Sequence, residues 1–102
     1  MEFKLSRIAK SDVLDISDYY TRINETLAER FVTELETALH DLCSQPNIGS
    51  RRYAHFFPDK SLRVWQLDRF AFLLFYRVQD DLLDVLRVLL ERRDLSATLI
   101  AV

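Results

Sequence analysis

One glycine, two prolines, one cysteine and two histidines in 102 residues remove several kinds of chemistry at the outset. A single glycine excludes a P-loop and a GxGxxG dinucleotide fingerprint, both of which need several positions where backbone can close around phosphates. Cys43 has no second cysteine to pair with, so there is no intramolecular disulfide, and with only His40 and His55 beside it there is no usual zinc ligand set. His40, next to Asp41, reads as a surface residue, and Cys43 as a small buried side chain. Long hydrophobic runs are missing too. The longest, Phe70 to Tyr76, falls far short of the ~20 residues of a membrane-spanning helix. Nothing at the N-terminus combines a basic stretch with an apolar run of signal-peptide length. The expectation is a cytoplasmic protein with no cofactor, no metal site and no membrane contact.

What the chain has in quantity is apolar and aromatic side chains, 49% and 12% of residues, enough for one packed domain spanning 1–102. The formal net charge of −2 gives the whole molecule no general attraction to a phosphate backbone. Its distribution is uneven, with five basic and nine acidic residues up to position 50, and nine basic and seven acidic after it. Asp12 and Asp15 share a helical spacing but come with no other sign of acid–base chemistry, and they read as structural.

Along the chain, Phe3, Lys4 and Leu5 alternate as in a short strand. From Ser11, the positions Val13, Ile16, Tyr20 and Ile23 mark an amphipathic helix, with Asp12 in its first turn favouring the helix dipole. Thr26-Leu27-Ala28-Glu29 reads as a capping box that opens a second helix. Its stripe is Ala28, Phe31, Leu35, Ala38 and Leu42, widened by Val32 and Leu39, and Pro46 ends it. A link at about Asn24-Glu25 folds the two into an antiparallel hairpin. Residues 45–60 form an aromatic-rich loop that partly packs on the sheet. Three strands follow, Leu62–Asp68, Phe70–Gln79 and Leu82–Glu91, with connections short enough to require antiparallel hairpins. The fold class is therefore α+β.

Period-two alternation gives these strands two largely apolar faces, and a tight helical hairpin can cover only one of them. The set with Arg63, Trp65, Leu67, Leu73, Phe75, Arg77, Val85 and Arg87 is expected on the open face, where an apolar surface of roughly several hundred Å2 marks a binding site. For the arginines Arg63, Arg77, Arg87, Arg92 and Arg93 two readings stay open: pairing with the acidic helices, or recognition of an acidic partner or nucleic acid.

The order Leu5-Ser6, Ala9, Asp12 to Ile16, Tyr19, Ala28, Phe31, Pro46, Gly49, Arg51, Leu62-Arg63, Phe75-Tyr76-Arg77-Val78 and Arg87-Val88-Leu89, closing on Arg92-Arg93-Asp94, resembles the ParE side of the ParE/RelE toxin superfamily. The likeness runs over roughly residues 3–94. It implies a strand, an antiparallel helical hairpin and a three-stranded antiparallel sheet, in the order βααβββ. It also implies the toxin half of a bacterial type II toxin-antitoxin module serving plasmid or chromosome maintenance. Such a toxin is neutralised by a ParD-like or similar antitoxin with a flexible C-terminal part, and it inhibits DNA gyrase by binding, with no catalytic residues and no sequence-specific DNA contact of its own. The eight-residue set above is then the antitoxin-binding face, and Arg92, Arg93 and Asp94 are the target-binding tip.

Two other readings stand beside this one. RelE-like relatives cleave mRNA on the ribosome and carry a basic surface, an arginine in the middle of the penultimate strand and a tyrosine after the C-terminal arginine. Here that strand is apolar at Phe72-Leu73-Leu74, no tyrosine follows Arg93, and the net charge is negative. The other reading is a partner-binding relative without toxicity. Leu90-Glu91 stands where many ParE relatives have His-Gly before Arg-Arg-Asp.

Overall fold

In a computed structural model that describes residues 1–91 and Leu95, the chain opens with strand β1 (Glu2–Leu5), followed by helices α1 (Arg7–Ile23) and α2 (Glu25–Ser44). After a loop holding one 3-10 turn at Ala54–Phe56 come β2 (Arg63–Gln66), β3 (Phe72–Gln79) and β4 (Leu82–Leu90). All four strands share one sheet in the order β1-β4-β3-β2. The sheet is therefore mixed and four-stranded, where the sequence had suggested three antiparallel strands preceded by a separate one. β1 lies parallel to β4, with Glu2 opposite Leu82 and Leu5 opposite Val85. Pairing across some eighty residues leaves no local trace in a sequence.

α1 begins a turn earlier than its apolar stripe suggests. The Ser6 amide donates to the Val85 carbonyl at 2.9 Å, its hydroxyl donates to Leu86 O at 2.9 Å, and the same oxygen accepts from the Ala9 amide at 3.0 Å. Ser6 is thus at once the last residue of the sheet ladder and the N-cap of α1. Asp12 consequently sits in the body of the helix and not in its first turn. The capping box at Thr26 does not form either. Asn24 caps α2, its Oδ1 accepting from the Thr26 amide at 2.8 Å, and one extended residue separates the two helices.

The stripe on α2 is buried as expected: Phe31, Leu35, Ala38, Leu39 and Leu42 join Phe72, Leu74, Tyr76, Leu83, Val85 and Val88 in the main core beneath the helices. Leu62, Val64, Leu73, Phe75, Leu86 and Leu95 form a second cluster on the opposite face, with Tyr53, Phe56 and Phe57 of the loop packed over it. That face is thus largely roofed by the chain's own aromatics.

This overturns the grouping of the eight strand residues. Gln79 pairs with Leu82 around a two-residue turn, and Gln66 pairs with Leu73, so directly opposed residues have opposite numerical parity. Trp65 consequently faces the helices beside Leu74, and Val85 beside Tyr76, whereas Phe75 points the other way with Val64. A bulge at Leu86, where the register changes between Phe75 and Tyr76, restores parity only for the end of β4. The turn residues Asp80 and Asp81 both adopt positive φ, 54° and 59°, the geometry of a type I′ hairpin turn.

Candidate partner-binding face

The eight residues first grouped on one face end up in three kinds of place. Leu67, Leu73, Phe75 and Val85 are buried in the two cores. Trp65 packs half-buried at the margin of the helix-side core. The three arginines each take a structural partner, and only one of them also reaches an open groove.

Arg87 is tied to α1. Its Nε and Nη2 donate to the two oxygens of Asp12 at 2.8 and 3.0 Å, and the Val88 amide donates to the same carboxylate at 3.0 Å. β1 ends opposite Val85, so beyond that point β4 would present bare backbone. Asp12 and Ser6 take up these edge groups, which blunts the edge as a template for further strand pairing. Arg63 donates from Nη1 to the carbonyls of Asn47 and Gly49 at 3.2 and 2.9 Å, fixing the chain as it leaves α2. The Ser50 amide and carbonyl bond Val64, closing part of the β2 edge in the same way.

Gly49 is required at this bend for space and not for its conformation. The Tyr76 hydroxyl donates to Pro46 O at 2.7 Å and accepts from the Gly49 amide at 3.0 Å. A Cβ on Gly49 would collide with the phenol, lying 2.8 Å from Tyr76 Cε1. Burial, only partly offset by the Gly49 amide, pushes the Tyr76 hydroxyl above the ordinary tyrosine pKa.

Arg77 differs from the other two. Its Nε stands 3.5 Å from Asp84 Oδ2, its guanidinium carbon lies 5.4 Å from the centre of the Phe57 ring, and the Nε–H is buried with no hydrogen-bond acceptor among the described residues. It lines an open groove of about 580 Å3 together with Ile8, Phe57, Pro58, Asp59 and Leu86. This is the part of the second sheet face that the aromatic loop leaves uncovered. Ile8, Phe57 and Pro58 were not anticipated at a site. The cluster of aromatics in an irregular segment was the available signal, but nothing local to Ile8 places it against β4.

A larger groove, of about 650 Å3, runs between α2 and the β2–β3 connection and is lined mainly by polar residues, among them Arg30, Thr33, Glu34 and Arg69. Glu34 accepts the Arg69 amide there through both oxygens, at 3.1 and 3.0 Å, which clamps the hairpin to the helix. The proposed tip Arg92, Arg93 and Asp94 lies outside the described residues. No group of three metal-ligating side chains and no helix long and apolar enough to cross a membrane occurs among the described residues.

Strand, helical hairpin and mixed sheet, with a cationic groove on the face away from the helices, define an α+β domain with a surface suited to a polar-apolar partner. Over residues 3–95 the chain matches the family described as ParE toxin of type II toxin-antitoxin system, parDE, and it belongs to that family. A comparison with curated proteins gave no match. Among solved structures the fold is similar to a chain from the chromosomal ParDE TA system of P. aeruginosa, with a TM-score of 0.74 and 23% identity, covering 90% of this chain and 97% of that one.

Proposed function

We propose that this chain is the toxin of a type II module, that a ParD-like antitoxin holds it inactive, and that the free toxin inhibits DNA gyrase by binding and not by catalysis. Membership of the ParE family over residues 3–95 carries this reading. The antitoxin is proposed to seat on the groove at Arg77, burying the apolar surface of Ile8, Phe57 and Leu86 while placing a carboxylate on the guanidinium. Half-buried Arg87 extends the contact and Leu73 and Phe75 shape it from beneath, while a tail that wraps past the β2 edge would reach half-buried Arg63 and Trp65 on the helix-facing side, over Leu67 and Val85. A disordered tail suits such a surface because it can wrap around it and bury more than the roughly 800 Å2 per partner of a standard complex.

The target is proposed to be met by Arg92, Arg93 and Asp94 beyond β4. Arginine's planar fork matches carboxylates and phosphates, which suits recognition of a charged target. Expression without antitoxin should block DNA replication, and the purified chain should inhibit gyrase supercoiling while mRNA on translating ribosomes stays intact. Codon-specific mRNA cuts with normal gyrase activity would overturn the target. Arg92→Ala/Arg93→Ala should keep fold and antitoxin binding but lose growth inhibition. Full toxicity of that variant would remove the tip from the mechanism.

A further inference from the structure

Charge is segregated across the sheet. The helical layer, residues 7–44, carries eight carboxylates against four cations. The loop on the other side carries Arg51, Arg52 and Lys60 against the single carboxylate of Asp59. None of these three cations has a carboxylate within ion-pair distance among the described residues, where the ion pairs are Arg77–Asp84 and Arg87–Asp12.

Two of the three side chains are also held in place. Arg51 donates from Nη2 to Lys60 O at 3.1 Å, and Arg52 lies over the Tyr53 ring at 4.9 Å. Each arginine spends one nitrogen or one ring contact on the loop and keeps other N–H donors for an outside acceptor. Two pre-oriented forks beside a lysine form a receptor for closely spaced anions. Apart from Asp12 and Glu34, which are engaged by Arg87, the Val88 amide and the Arg69 amide, the helical carboxylates lie across the sheet, about one layer spacing of ~10 Å or more away, beyond the ~8 Å over which charges act at physiological salt.

The neighbouring aromatics narrow the ligand. Tyr53 is covered by Arg52 and meets Phe75 edge-on, and Phe56 lies against His55 with ring centres 4.4 Å apart. These faces are already occupied and leave no platform on which a base could stack. We propose that the 51–60 loop binds the phosphate backbone of a nucleic-acid duplex without regard to sequence. The density of charge along a duplex, about one per 1.7 Å, is what such a short patch needs to engage three phosphates at once. The inference stands apart from the gyrase reading, since it concerns the duplex itself.

The test is fluorescence anisotropy of the full chain with a labelled 20-base-pair DNA duplex between 50 and 200 mM salt. Contact with three phosphates predicts a slope of log affinity against log salt near −2.7, or about a forty-fold loss over that range. Arg52→Gln/Lys60→Gln, which leaves the Arg51 anchor in place, should weaken binding at least ten-fold with an unchanged circular dichroism spectrum. Arg22→Gln/Arg30→Gln removes the same charge from the helical layer and should change affinity less than two-fold. Equal losses in the two variants would reduce the effect to net charge and overturn the site. Tighter binding to the corresponding single strand, displacement of the duplex by poly-glutamate at equal charge concentration, or no binding at 50 mM salt would each overturn it as well.

Discussion

Tyr76 concentrates several constraints in one side chain. Its phenol sits in the core, caps the Pro46 carbonyl and takes the Gly49 amide, so Tyr76→Phe leaves both groups short of a partner and should cost about 1–3 kcal/mol in denaturant unfolding. Because burial raises the phenol pKa in the folded state, the neutral form is the one the fold favours. Its contribution is complete below the unfolded value near 10 and is lost as pH rises through the folded value. Stability of the wild type should therefore fall in strongly alkaline buffer, and that of Tyr76→Phe should fall less. Gly49→Ala should destabilise through the collision with the same ring, and less so in the Tyr76→Phe background, a coupling that a double-mutant cycle reads directly. Asp12→Ala removes the carboxylate that holds Arg87 and the Val88 amide. A loss of about 2 kcal/mol is expected from a half-buried pair of this kind, below the 3–5 of full burial. A loss under 0.5 kcal/mol would show the pair to be a surface bridge only.

The β3–β4 hairpin turns on two aspartates held at positive φ, a conformation that asparagine and glycine adopt at less cost. Replacing Asp80-Asp81 with Asn-Gly should raise stability by about 0.5–1 kcal/mol and raise Tm without affecting antitoxin binding. This turn also explains what the sequence did and did not reveal. α2 was legible because its burial repeats every three or four residues within one element, and the loop aromatics were legible as a packed cover. The faces of the strands were not. A two-residue turn exchanges odd for even, and a bulge at Leu86 exchanges them back, so the grouping of Trp65 with Phe75 failed at the hairpins and not at the strands themselves. The duties of the arginines were equally hidden. Asp12 lies 75 residues from Arg87, and no spacing rule links them.

At the scale of the molecule, a sheet with helices on one face and an incomplete aromatic roof on the other leaves the Arg77 groove as the place where a partner can add most. A partner that binds only the folded chain stabilises it by mass action, by about 2.7 kcal/mol at a hundred times Kd. For a domain of this size that corresponds to a rise in Tm of roughly 10–20 °C. Arg77→Ala should keep the free chain folded, weaken antitoxin binding at least ten-fold in calorimetry and shrink this thermal gain. An unaltered Kd would place the antitoxin elsewhere.

The pairing of β1 with β4 also governs when the protein can exist. Of the four described strands, the first in chain order has the fourth as its sheet neighbour, and the Ser6 cap of α1 depends on carbonyls of that same later strand. A nascent chain can form its helical hairpin early, but its sheet closes only after Leu82–Leu90 has cleared the exit tunnel. Until then Leu5 has no neighbouring strand and Ser6 no carbonyl to meet, so the fold is completed from its two ends at once and not in the order in which it is made.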